Sequence, residues 1–394
     1  KEIYNKANGT INNDSTITNE GTITLEGNSI YNNRSQSSLS NTGTVNNNTN
    51  SVYNNKDSSI LNNNTGGTYN NKGTLLVEFS SIFNNKADYN NLINGSDSSV
   101  MNIYGTINNN LDNTDSGTIV NNGLIYFKRN GADLGTLNNN SKITNNAYIL
   151  NPSLVNNNTG GSITNNSIMR VSSTGTMNNS GTYDIVSGSL TNQGTYLNKL
   201  SSLMISKASV INNNSYTNKG RLKIFKSSVF TNNSSMDNDS SIINYGTLNN
   251  TSTLTLDSTS IITNYRTIDN ANGATITNEG LITNKKIGSS NFDSIDTSDI
   301  YGTINNTGTL NLNKGQITNS GKIQNNVTTG IVNNKAVIVT DSLVVNYGAF
   351  NNQNSSRIDN IGLVDNKSTG TITNSSIINN NSSTKNGLIK NIGT

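Results

Sequence analysis

Apolar residues in this chain rarely stand together. They alternate with polar ones over short stretches such as GTITLEG (21–27) and GRLKIFK (220–226), and an apolar anchor returns every six to nine residues. Alternation with period two places successive side chains on opposite faces of an extended backbone, so each stretch predicts a short strand. Ile, Val and Thr supply most of the frame and favour strands. Asn and Gly fill the intervals and tolerate the left-handed backbone of tight turns.

The stretches repeat. STITNEGTITLEGNSIYNN (15–33) and SSLSNTGTVNNNTNSVYNN (37–55) align without gaps at an offset of 22, pairing Asn19 with Asn41 and Tyr31 with Tyr53. GTYNNKGTLLVEFSSIFNN (67–85) aligns 30 residues further on and is expected to add Tyr69, Leu75 and Ile82 to the columns of Leu39, Val45 and Val52. IINYGTL (242–248), ITNYRTI (262–268) and ITNKKIG (282–288) follow each other at offsets of 20. In a second rule, a Gly or small residue opens the strand and a small residue follows eight positions later, as in 21–29, 73–81, 220–228 and 252–260. Fixed-period similarity means a repeat architecture, and the unit is too short for helical repeats. Three short strands per turn make a coil of about 20–22 residues, the size of a parallel β-helix coil. A two-sided coil of about 13–14 residues fits these offsets less well. The expected fold is therefore an all-β, three-sided and right-handed parallel β-solenoid of some 18–19 coils, about 90 Å long at the strand spacing.

The chain has 394 residues, 85 of them Asn. In a solenoid each residue stacks on its counterpart about 4.8 Å away, and a primary amide both donates and accepts along such a stack. Asn19, Asn41, Asn71, Asn244, Asn264 and Asn284 are expected in such ladders, where they satisfy backbone groups buried at the turns.

No linker or shift of composition divides the sequence, so 1–394 reads as one continuous domain. The segments 127–135, 199–209 and 285–302 break the rhythm and are candidate protruding loops. The repeat idiom already runs at residue 8 and still runs at Thr394, which is the basis for expecting head-to-tail association of copies into filaments.

Strings such as GTINN (105–109), GTINNTGTLNLN (302–313) and TNSGKIQNN (318–326) resemble the repeats of large secreted surface adhesins, the filamentous-haemagglutinin-like proteins and autotransporter passengers. The resemblance spans essentially the whole chain with a degenerate motif, and it implies a right-handed β-helix at a cell surface.

Composition excludes several chemistries. With no His and no Cys there is no Ser-His-Asp triad, Cys-His nucleophile, zinc finger or disulfide framework. Charged residues make up 12% of the chain at a net charge of +3, and the 23 acids are spread along its length. No catalytic cluster, cofactor site or membrane-spanning run emerges. Asp293, Asp296 and Asp299 are weak calcium candidates that match no established calcium loop, and solvated loop acids are the preferred reading. Lys219, Arg221, Lys223 and Lys226 form a basic stripe, read as a solvated strand face in preference to a site for an acidic glycan or nucleic acid. Tyr31, Tyr53, Phe83, Tyr126, Phe127 and Phe225 read as packing along the solenoid in preference to sugar platforms. Thr-x-Thr repeats, as at 253–255, are too scattered for an ice-binding face, and sequons such as those at Asn33 and Asn47 follow from composition.

The expected function is structural: an extracellular, cell-surface or virion-surface fibre whose main partner is a further copy of itself, without nucleic acid. The alternative is an adhesin that meets a glycan or cell-surface receptor through its loops, and the third reading is a polysaccharide-active enzyme.

Overall fold

In the computed structural model the chain forms two compact units, Lys1–Leu203 and Met204–Thr394, each described by itself below. The structure describes all residues except 1, 49, 57, 65–66, 78–80, 86–87, 92, 95–96, 99, 104–105, 110–117, 128, 131–132, 152, 288–299, 302, 313–315, 321, 326–329, 336, 341, 354–355, 381–386 and 392–394. Among the described residues all regular structure is β, and the strands make three parallel sheets.

The unit of construction is a four-residue strand. Its second and fourth side chains point inward and its first and third point outward, as in Thr44–Asn47, Thr68–Asn71, Ser241–Asn244 and Leu281–Asn284. The second position carries the apolar core: Ile242, Ile262 and Ile282 are buried and stack in register. Each such side chain contributes about 1.5–3 kcal/mol on leaving water. The fourth position is usually Asn, equally buried. Two of four side chains per strand thus face inward on every sheet, which is how a chain with 31% hydrophobic residues fills a core.

Most strands are joined by corners of two or four residues, and Val186–Gly188 makes a corner of three. From Asn232 to Asn250 all corners have two and the coil is 18 residues long; from Asn47 to Asn71 all have four and the coil is 24. Mixed coils give 20 and 22, as at Asn244–Asn264 and Asn19–Asn41. Each corner sets down the next strand with its second and fourth side chains inward, as the three-residue corner does at Leu190 and Asn192, because a shift of one residue within a strand would turn its apolar side chain outward. Several four-residue corners have a left-handed residue at their third position, such as Asn50, Ser58, Ser201 or Ser227 (φ 63, 63, 66 and 67°). Its last residue is commonly a buried Ser: Ser228 Oγ donates to the carbonyls of Ser206 (2.9 Å) and Phe225 (2.7 Å). This corner explains the small residue eight positions after the strand opener in 21–29, 220–228 and 252–260.

Where a two-residue corner lies on a four-residue one, its second residue is commonly Gly. A Cβ on Gly246 would fall on the carbonyl oxygens of Phe225 and Ser228, and one on Gly280 on those of Asp257 and Ser260. Gly308 faces Ala271 and Ala274 in the same way. The requirement is steric room beside the shortened turn, and Arg266 takes the corresponding place where two-residue corners stack.

Three sequence expectations are revised. The segment 67–85 belongs one face further round: Tyr69 pairs with Val45, Leu75 with Tyr53 and Ile82 with Ile60. All three faces carry the same strand pattern, so a gapless alignment slips by one face without losing its apolar matches. The segment 199–209 is not a loop. It contains a four-residue corner, the strand Leu203–Ser206 and the start of the strand Ser209–Asn212. Ser206, wholly buried, ends that strand in place of Asn, so the usual marker is missing. A further excursion at 93–98, with Ile93 paired antiparallel to Ser98, has no signal in the repeat pattern. In segments 127–135 and 285–302, Phe127 still ends a core strand and the Lys285 N–H still bonds to the Asn264 carbonyl, and short antiparallel pairs follow. Arg129–Asn130 pairs antiparallel with Asp133–Leu134, and Lys286–Ile287 with Ile300–Tyr301. The parallel register resumes after each, at Thr136 on Thr106 and at Thr303 on Thr267.

Replacing Gly246 with Ala is expected to lower stability by about 1–3 kcal/mol through overpacking against fixed carbonyls. Ser234→Ala, at the same corner position where two-residue corners stack, is expected to change it by less than about 0.5 kcal/mol. Urea titration of both variants checks the contrast.

Candidate functional site

The buried Asn residues are the most repeated polar feature. In unit Lys1–Leu203 one column runs Asn19–Asn41–Asn63–Asn85–Asn109–Asn139–Asn157–Asn179–Asn198, each Nδ2 donating to the next Oδ1 at 2.7–2.9 Å. In unit Met204–Thr394 a column of equal length runs from Asn212 through Asn232, Asn250, Asn270, Asn306, Asn325, Asn346 and Asn366 to Asn391, at 2.6–2.8 Å. Asn244, Asn264 and Asn284 form a third, continued by Asn319. Asn71 receives its bond from Asn47 (2.8 Å).

Each amide also holds the turn beside it. Asn244 Nδ2 donates to the Thr267 carbonyl one coil on (2.7 Å), while its Oδ1 accepts from the Gly246 N–H (3.1 Å). Asn264 donates to the carbonyls of Arg266 (3.3 Å) and Thr303 (3.2 Å). A primary amide is the smallest side chain with two donors and an acceptor, and Asp, Leu or Ser supply only part of this set. Because Asn33 and Asn47 are completely buried, their sequons are closed to modification in the folded chain.

Outside the core, Arg221–Ile224 matches its sequence reading: Leu222 and Ile224 are buried and Arg221 is exposed. Lys219 lies on a different corner and pairs with Asp239 (3.5 Å). Asp293, Asp296 and Asp299 lie outside the described residues. Tyr31, Tyr53, Phe83 and Phe127 are buried, whereas Tyr126 and Phe225 are half-exposed. Tyr31 and Tyr53 stack at 4.6 Å between ring centroids, and Tyr69 and Tyr89 extend the cluster. Burial pushes the phenols of Tyr53, Tyr69, Tyr183 and Tyr216 above their usual range.

Phe225 belongs to a surface column that the stripe reading missed. The residue after each strand of one sheet stands at the same outer corner: Lys207, Phe225, Tyr245, Tyr265 and Lys285. Backbone bonds fix the column. The N–H groups of Phe225, Tyr245, Tyr265 and Lys285 donate to the carbonyls of Ser206, Ile224, Asn244 and Asn264 at 2.7–2.8 Å. Tyr245 and Tyr265 stack at 4.8 Å and 12°, the spacing of the coils, and Phe225 tilts onto Tyr245 at 6.5 Å. Lysines cap both ends: the Nζ atoms of Lys207 and Lys223 lie 5.7 and 5.3 Å from the Phe225 ring centre, and that of Lys285 lies 5.9 Å from the Tyr265 ring centre. Burial first, then neighbouring Tyr265, pushes the Tyr245 phenol up, with Arg221 pulling the other way. The signal was present in NYG, NYR and NKK at a period of 20, one residue beyond the ladder Asn.

No family model matches the sequence, and neither does any of the curated proteins compared. Among solved structures the chain is similar to a fragment of TibA, residues 55–350, hyperglycosylated by TibC. The identity is 13% over 99% of this chain and 100% of that one, with a TM-score of 0.26. A likeness at that score carries no argument about function.

Asn264→Asp is expected to destabilise the fold by about 3 kcal/mol or more at pH 7, because it removes both donors and buries a charge. Its buried carboxyl would titrate above its unfolded value, so the loss should shrink as pH falls through the folded pKa. Urea midpoints of this variant between pH 4 and 8 test the sign. For the unmodified chain, tyrosines held neutral in the core leave stability unaffected by their ionisation below pH 10. Above it the unfolded state ionises first, and each such tyrosine removes up to about 1.4 kcal/mol per pH unit. Urea midpoints from pH 8 to 11.5 check this.

Proposed function

We propose that this chain is a structural and presentational solenoid, the stiff stalk or fibre of a cell or virion surface, without a catalytic role of its own. The observation that carries the reading is the unbroken pair of nine-residue Asn columns, one in each unit. Within each unit, successive coils of described residues are tied by parallel backbone pairing and by side-chain amides, so a coil there opens only by breaking bonds on several sides. Repeats with strong nearest-neighbour coupling resist local unfolding and proteolysis. Among the described residues no helix is long and apolar enough to cross a membrane.

The adhesin reading has a specific observation in its favour. The excursions at 129–134 and 286–301 leave from corners and return with the parallel register intact, so the solenoid can carry a variable loop without altering its core. In both readings a further copy of the chain is a partner, since every coil edge presents the same parallel hydrogen-bonding frame.

Three measurements test these readings. Limited proteolysis of the native protein should cut at the excursions and leave both units protected; rapid digestion within the strands would remove the stalk reading. Electron microscopy of concentrated protein at near-neutral pH should show stiff particles joined end to end, and dispersed single particles would remove self-assembly. Replacing 128–135 by a two-residue corner should leave the melting temperature within a few degrees, and loss of surface attachment would favour the adhesin.

A further inference from the structure

We propose that the outer corner formed by Lys207, Phe225, Tyr245, Tyr265 and Lys285 binds a linear anionic polysaccharide laid along the solenoid. The inference is independent of the stalk reading and rests on charge, ring geometry and spacing.

The charge is one-sided. Lys207, Arg221, Lys223, Lys226, Arg266 and Lys285 lie on or beside this corner, and no Asp or Glu occurs in 203–208, 221–228, 241–246, 261–266 or 281–285. Acidic Asp239 and Asp257 follow strands of another sheet, on the corner that holds Lys219. Lys207, Arg221, Lys226 and Lys285 are exposed, and Lys223 and Arg266 half-exposed. The segment 288–299 lies outside the described residues.

The arrangement selects a polymer. Five successive coils carry the column, so its ends lie about 19 Å apart at the strand spacing. Cations strung along a line match charges strung along a chain, whereas a small anion needs donors that converge on a point. The sheets on either side hold the backbone of each cation, which limits the ordering required on binding.

The rings narrow the class further. Neutral sugars and unstacked bases bind aromatic side chains through the ring face. Here the faces of Tyr245 and Tyr265 meet each other and the outer faces meet the lysines. The stack instead pins the ammonium groups by cation–π attraction. That leaves charge and the tyrosine edges as the means of recognition, which suits sulfated or carboxylated sugars better than neutral glycan or single-stranded nucleic acid.

The test measures binding of the full chain to immobilised dextran sulfate, polygalacturonate, neutral dextran and poly(dT) at two salt concentrations. Dextran sulfate or polygalacturonate should bind, weaken with salt and outcompete poly(dT), and neutral dextran should not bind. Which of the two binds tighter identifies sulfate or carboxylate as the anion. The variant K223Q/K226Q/R266Q should lose about tenfold or more in affinity, and the milder K226Q/R266Q several-fold. The control K219Q/K335Q/K390Q removes equal charge elsewhere and should stay within about twofold. Circular dichroism melting of each variant shows that the fold is kept. Equal losses in variant and control, tighter binding of poly(dT), binding of neutral dextran, or no binding of either anionic polysaccharide would each overturn the proposal.

Discussion

The primary amide at the last inward position of the strand is the constraint on which the remaining structure depends. At that point the chain leaves one sheet for the next, and its turn carbonyls and N–H groups lie inside, away from water. An apolar side chain would leave them unpaired, at about 1–3 kcal/mol each. A carboxylate would bring a buried charge and no donors. Asn supplies a donor to the next coil, a donor to the turn and an acceptor for the turn N–H, as at Asn244. A bond satisfied in this way is repeated at every coil, so the composition of the chain follows from its geometry.

At two strands that end without Asn, the turn is closed by serine. Ile224 and Leu256 end their strands with apolar side chains and are followed by four-residue turns closed by buried Ser228 and Ser260. There Ser260 Oγ donates to the Asp257 carbonyl (2.7 Å), whereas in the four-residue turns that follow an Asn the serine also donates to the amide oxygen, as Ser51 does to Asn47 Oδ1 (2.7 Å). The next short turn on that corner must then pass close to two carbonyls, and Gly280 is the consequence. Coil length thus varies with the corners, from 18 residues at Asn232–Asn250 through 19 at Asn179–Asn198 to 24 at Asn47–Asn71, while the strand frame stays constant.

The core tolerates some polar misfit. The hydroxyls of Tyr53 and Tyr69 are buried without a hydrogen-bond partner, each desolvated against neighbouring rings. Tyr183 and Tyr216 direct theirs to the sulfurs of Met169 (3.2 Å) and Met204 (3.0 Å). The ladders to either side supply the stability that offsets these groups, and the same stacking that buries Tyr31 on Tyr53 inside places Tyr245 on Tyr265 outside. Tyr31 stands two residues before the end of its strand and Tyr245 one residue after the end of its own, and that position decides which stack is core and which is surface.

Period-two alternation, β-branched residues and the Asn spacing determined the fold class by themselves: strand identity, the inward apolar set and the ladder pairs Asn19–Asn41, Asn244–Asn264 and Asn264–Asn284 are all legible in one dimension. These are local properties, written once per strand. The identity of the face is not local. The three sides share one motif, so the sequence alone placed Tyr69 beside Leu39 where the structure puts it beside Val45. Ser206 hid a strand because one residue type had stood for the turn. Only the tertiary structure decided which residues share a corner, since that depends on the summed lengths of three intervening turns. The Lys207–Lys285 column came into view on that basis alone, through contacts between residues some 18–20 positions apart.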